Sequence, residues 1–116
     1  AINGHLTATF ADPVEINNWS RALGRGPDTF PFVNSTKSMI GHGLGAAGGL
    51  ECVAAVLEVY KGFLHPSINC EDLHPEILPF ARSIVRETME LEVDILAKSS
   101  FGFGDVNGCL IFKRWR

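Results

Sequence analysis

Apolar residues recur at helical spacing in two stretches of the chain. The first runs Ile16, Trp19, Leu23 behind Asp12-Pro13-Val14-Glu15. Asp12 suits the cap position, Pro13 the first helical position, and Glu15, three residues past the cap, can reach back to it. Gly24-Arg25-Gly26-Pro27 marks the end of that helix. In the second stretch Leu50, Val53, Ala54, Leu57 and Tyr60 share one face, which predicts a helix from about Gly45 to Lys61. Its only charges before Lys61 are Glu51 and Glu58, so the pattern predicts burial on most sides. Its small first turns let a neighbouring backbone come close.

Strand patterns occupy much of the remainder. Phe30 to Val33 reads as a short strand demoted by Pro31, and Ser83 to Met89 as another. Asn34 to His42 shows neither period and reads as a loop. Leu64 to Leu78 is a connection punctuated by prolines. Val93 to Lys98 and Cys109 to Lys113 read as strands, and the turn-rich link Phe101 to Gly108 joins them in a terminal antiparallel hairpin.

With 116 residues, 46% apolar and 20% charged, the chain is one globular domain. The longest apolar runs are too short to span a membrane. A net charge of −3 excludes a nucleic-acid binder working by phosphate neutralisation. Cys52, Cys70 and Cys109 are odd in number with no paired spacing. That excludes a disulfide framework and a zinc ribbon, and points to a reducing, cytoplasmic setting. The opening Ala1-Ile2-Asn3-Gly4-His5 is no signal peptide; it reads as sequence cut from something longer, or as a trimmed tail.

Gly43-Leu44-Gly45-Ala46-Ala47-Gly48 matches the dinucleotide pattern GxGxxG, but polar residues stand where that motif needs a strand. A close-packed helix start is the better reading. Among the histidines no pair has metal-ligand spacing. His65 and His74 each precede a proline and are expected in solvent. His5 and His42 lie among small and polar residues at element junctions, with Lys37 five residues before His42. Cys52 is expected to act as a small hydrophobe within the second helix. Asn34-Ser35-Thr36 forms a glycosylation sequon with nothing to suggest secretion.

Asn34-Ser35-Thr36-Lys37-Ser38-Met39-Ile40-Gly41-His42-Gly43-Leu44-Gly45-Ala46-Ala47-Gly48 closely resembles the lysine-histidine loop of the β-ketoacyl-acyl-carrier-protein synthases, N-S-T-K-S-x-x-G-H-x-x-G-A-A-G. Ser100 to Gly104 with Asn107 resembles that family's S-F-G-F-G-G-T-N turn. His5, Thr7 and Thr9 resemble its first-histidine loop, H-G-T-x-T-P, and Pro66 to Asn69 fits its connection after the second helix. Order and separations agree along the whole chain, as for the C-terminal part of such an enzyme.

The resemblance implies an α/β chain: the C-terminal portion of a thiolase-like fold, a layered α/β/α half with a central buried helix. It implies decarboxylative Claisen condensation of an acyl thioester with a malonyl thioester. His5 and His42 would hydrogen-bond the malonyl thioester oxygen and stabilise the enolate. Lys37 would set the local field through a carboxylate network including Glu51. Phe103 would line or gate the acyl channel and its N–H would join an oxyanion hole, with Phe101 and Gly102 beside it; Thr7 and Thr9 would contact pantetheine. Glu15 either serves the lysine network or closes the capping box.

No metal or resident cofactor is implied, since substrates ride on the phosphopantetheine arm of acyl carrier protein. The implied partners are that carrier, the N-terminal half of the same enzyme and a second copy in a homodimer, with no nucleic acid or membrane. Residues 1–116 then form a C-terminal ketosynthase domain incomplete on its N-terminal side. Leu6, Phe10 and Asp105-Val106 depart from the motifs, and the family's nucleophilic cysteine falls upstream of this sequence. The alternative is a non-catalytic ketosynthase-like partner subunit or scaffold.

Overall fold

A computed structural model describes residues 1–116. A four-stranded sheet in the order β2-β1-β5-β6 is built from β1 (Ile2–Asn3), β2 (Val33–Asn34), β5 (Ile95–Gly102) and β6 (Val106–Lys113). The strand β1 runs parallel to β2 and β5, whereas β5 and β6 form the expected antiparallel hairpin. Its strands reach further than the sequence pattern indicates, leaving only Phe103-Gly104-Asp105 as the turn. A small pair, β3 (Phe63–Leu64) with β4 (Met89–Glu90), stands apart.

Alternation along the strands assigns the two faces of the sheet. Ile2 and Val33 join Ile16 of α1 (Ala11–Leu23) in one core cluster with Phe30, Ile77 and Phe80. Leu96 joins Ala55 and Val59 of α3 (Ala47–Lys61) in the other, with Leu64, Val85 and Val93. The sheet therefore lies between α1 and α3, an α/β/α layering. Both helices end on a left-handed glycine, Gly24 at φ 61° and Gly62 at φ 76°, a conformation that costs a side-chain-bearing residue more.

Several sequence expectations need correction. Phe30 to Phe32 is not strand; only Val33 and Asn34 pair with β1. Asn34 to His42 is not all loop, because Lys37–Ile40 forms one helical turn, α2, too short to show a period. A 3-10 turn at Leu44–Ala46 precedes α3. Ser83 to Met89 is not one strand: after a 3-10 segment at Leu78–Ser83 it holds the bridge of Ile84 to Val33, and its last residue, Met89, opens β4. The α1 start has no side-chain cap, as Asp12 and Glu15 are engaged elsewhere.

The largest correction concerns α3. Its buried face carries Ala47, Glu51, Ala55, Glu58 and Val59. The apolar stripe predicted to face a core is on the outside, with Val53 60% and Tyr60 72% exposed. A contiguous apolar stripe in water favours association. The isolated 116-residue chain is therefore expected to self-associate at micromolar concentration. Sedimentation velocity checks this; a single well-folded monomer would show that the stripe is tolerated in solvent.

Candidate active site

The loop from His5 to Phe10 joins β1 to α1, and two carboxylates at the start of α1 hold it. Glu15 accepts the backbone N–H of His5 at 2.9 Å and of Leu6 at 3.0 Å, and the Ser99 hydroxyl at 2.6 Å. Asp12 accepts the N–H groups of Thr7 and Ala8 at 3.0 Å and of Thr9 at 3.4 Å. Five consecutive N–H groups thus converge on two acids. This cage maintains Leu6 at φ 28° and Ala8 at φ 57°, conformations that side-chain-bearing residues adopt only when their surroundings impose them. Glu15 forms no capping box and no direct lysine ion pair; it fixes the His5 loop, and its charge acts on Lys98 from a distance.

Lys37 enters from α2, almost wholly buried. Its Nζ pairs with Glu51 of α3 and donates to the His5 carbonyl at 2.9 Å and to His5 Nδ1 at 3.2 Å. An ammonium has only protons to offer, so His5 Nδ1 is the acceptor and the ring proton sits on Nε2. His42 reaches the same result by another route, because its Nδ1 accepts the Leu44 N–H at 3.0 Å. The two rings lie edge to face with centroids 5.3 Å apart. Neither Nε2 has a partner within the chain. Partial burial, followed by the Lys37 charge, lowers the His5 pKa and outweighs Glu15, so His5 stays neutral at pH 7. The arrangement presents two Nε2–H donors, and His42 also lines a cleft of about 410 Å³ whose walls include Thr7, Lys37, Ser67 and Cys70.

Residues 1–71 match the family described as β-ketoacyl synthase, C-terminal domain. The chain belongs to this family. It is 41% identical over 116 residues to the chloroplastic 3-oxoacyl-(acyl-carrier-protein) synthase I of Arabidopsis thaliana, covering 99% of the chain and 24% of that protein. It is 36% identical over 114 residues to 3-oxoacyl-(acyl-carrier-protein) synthase 1 of Escherichia coli, covering 97% and 27%. The chain thus spans about a quarter of the length of these relatives. Among solved structures, the ishigamide ketosynthase/chain length factor superposes with a TM-score of 0.87 at 32% identity, over 99% of this chain and 28% of that one. A type II polyketide acyl-carrier protein in complex with its ketosynthase gives 0.84 at 29%, over 97% and 27%. The fold is thiolase-like.

Within this ketosynthase domain His5, His42, Lys37 and Glu51 come together. Phe101 joins them: its ring lies 5.7 Å from that of His5, edge to face. Phe103 does not; it stands at the hairpin tip, 96% exposed. Gly102 ends β5, close to the Val106 carbonyl. The Thr7 and Thr9 hydroxyls are 3.1 Å apart, and Thr7 lines the cleft. Cys52 and Cys70 are half-buried and Cys109 exposed.

Sequence reasoning missed two buried charges, Lys98 and Glu58. The Lys98 ammonium of β5 pairs with Glu51 Oε2 at 2.7 Å. Glu58 of α3 accepts Asn34 Nδ2 at 2.6 Å and the His65 N–H at 3.0 Å. Asn3 Nδ2 donates to Asn34 Oδ1 and Thr36 Oγ1. His65, expected in solvent, is instead part of this network. Its Nδ1 donates to the Pro66 carbonyl, and Nε2 lies 3.0 Å from Thr36 Oγ1. The network braces β1, β2 and the residue preceding Lys37.

Burial raises the Glu58 pKa, with the bonds from His65 and Asn34 opposing, and its Oε2 has no hydrogen-bond partner. A carboxyl with a raised folded pKa holds its proton longer when folded than when unfolded. Stability therefore falls as pH climbs from the ordinary carboxylate pKa through the raised one. Glu58→Gln keeps an acceptor for Asn34 and His65 and removes the charge. Its denaturation midpoint is expected to lose that part of the pH dependence, which lies above the ordinary carboxylate range. An unaltered slope would place the titration elsewhere.

Proposed function

We propose that the full-length protein catalyses decarboxylative Claisen condensation between an acyl thioester and malonyl-acyl carrier protein, in fatty-acid or polyketide synthesis. The observation carrying this reading is the pair of imidazoles whose Nδ1 atoms are both occupied as acceptors, leaving two Nε2–H donors. In the proposed reaction the malonyl C–C bond breaks and CO2 leaves. The bonding electrons form an enolate, and its oxygen is where His5 and His42 donate. Donors fixed in advance stabilise that charge more than the neutral carbonyl. The enolate carbon then attacks an acyl group held on a cysteine, and the thiolate departs.

That cysteine is assigned to a segment outside this sequence, and residues 1–116 to a C-terminal domain incomplete on its N-terminal side. The missing half and a second copy of the protein are the partners that suit the apolar outer face of α3. The printed names of the relatives, and the carrier-protein complex among the structural neighbours, support acyl carrier protein as the substrate-bearing partner. Thr7 on the cleft wall, with Thr9 bonded to it, fits contact with the phosphopantetheine arm, and Phe103 fits a channel gate. The reaction needs no resident cofactor. Three unpaired cysteines fit a cytosolic setting; no helix is long and apolar enough to cross a membrane. A scaffold role places no demand on two oriented N–H donors, so the catalytic reading is preferred.

The test is release of CO2 from malonyl-acyl carrier protein by the full-length protein, followed by condensation with an acyl thioester. Absence of both with folded protein would favour the scaffold. The 116-residue chain alone is expected to show no condensation, because it has no candidate for the acylated cysteine; product formed by it would overturn that placement.

A further inference from the structure

Glu51 is shared. One oxygen pairs with Lys37 and the other with Lys98 at 2.7 Å. All three groups are buried, and Lys98 is 2% exposed. Strand alternation puts Lys98 on the α3 face of the sheet with Leu96, while Ser99 turns to the α1 face and reaches Glu15. Lys98 also donates to the Ser99 carbonyl, which fixes its ammonium from the backbone side. A lone carboxylate facing one lysine would neutralise it. Here one carboxylate faces two, so the trio keeps a net positive charge, and its outer member, Lys37, lies 3.2 Å from His5 Nδ1.

We propose that Lys98 is a positioning residue for His5: by holding the second oxygen of Glu51 it keeps the Lys37 ammonium directed at His5 Nδ1, and so keeps the His5 proton on Nε2. The titratable groups facing His5 are Lys37 from α2, Glu15 from α1, Glu51 from α3, Lys98 from β5 and His42 from the following loop. Among them Lys37, Lys98 and His42 depress the His5 pKa and Glu15 raises it. Burial pushes the Lys98 ammonium itself below the ordinary lysine value, with Glu51 opposing. Taking Lys98 away leaves Glu51 wholly to Lys37. The charge felt by His5 falls and the grip on Nδ1 loosens. This inference rests on the reading of His5 as an enolate donor.

The experiment is nitrogen-15 imidazole NMR of the full-length protein, wild type and Lys98→Met, across pH. The His5 midpoint is expected to rise by about half a pH unit when the like charge is removed, with part of the ring population moving its proton to Nδ1. The acid limb of kcat/KM for malonyl decarboxylation should move by the same amount. An unchanged His5 midpoint and tautomer in folded Lys98→Met would overturn the proposal. Should that variant fail to fold, wild type suffices: His5 Nδ1 should show an alkaline inflection as Lys98 loses its proton, below the ordinary lysine range, and a flat response overturns the link. A shifted midpoint without decarboxylation in any form would leave the link standing and remove the condensing-enzyme reading instead.

Discussion

Glu51→Ala is expected to cost the full-length protein about 3–5 kcal/mol of stability, the usual result of stripping one partner from a buried ion pair. Each Glu51 oxygen faces a separate lysine, and neither lysine has another carboxylate within ion-pair reach. Alanine leaves both ammonium groups buried, and the residual carbonyl bonds from His5 and Ser99 do not neutralise them. Glu51→Gln should lose less, because its oxygen still accepts one lysine. Adding Lys98→Met to Glu51→Gln should recover part of the loss, since one uncompensated charge disappears. Urea denaturation followed by fluorescence reads all three. A loss under about 0.5 kcal/mol for Glu51→Ala, the range of ordinary surface changes, would mean that the lysines reach solvent.

That cluster also shows where sequence reading succeeds and stops. The extents of α1 and α3 follow from apolar spacing and from glycines that end them, and the hairpin follows from two β-rich runs around a glycine-rich turn. The orientation of α3 does not follow, because spacing alone sends the apolar stripe inward. The helix instead turns Glu51 and Glu58 inward, each satisfied by groups from distant segments: Lys37 and Lys98 for one, Asn34 and His65 for the other. Such pairings are long-range and leave no local trace. Lys98 did leave one. Period-two alternation puts it on the same face as Leu96, and a lysine at a core-facing strand position signals a buried counter-charge. Likewise α2, a single turn, is below the length at which helical periodicity exists. The residues that the motif resemblance names, His5, Lys37, His42 and Glu51, lie next to one another in the structure, whereas Phe103 stands at the exposed turn and Phe101 packs against His5.

In the proposed reaction, His42→Ala is expected to slow malonyl decarboxylation roughly 100- to 1,000-fold, about 3–4 kcal/mol, the range for removing one oxyanion donor. His42 is exposed and bonded to the fold only through the Leu44 N–H, which water can satisfy in its place. Stability should therefore change by less than about 0.5 kcal/mol, and the lost rate reads the donor itself. His5→Ala cannot be read so cleanly, because His5 Nδ1 occupies a proton of buried Lys37, and its loss disturbs the charge cluster as well. Transfer of an acyl group to the nucleophilic cysteine generates no malonyl enolate, so His42→Ala should spare it. Parallel assays of acyl transfer and CO2 release on one preparation separate the two steps. Equal loss in both would point to a collapsed site, and an unchanged rate of CO2 release would remove His42 from the reaction.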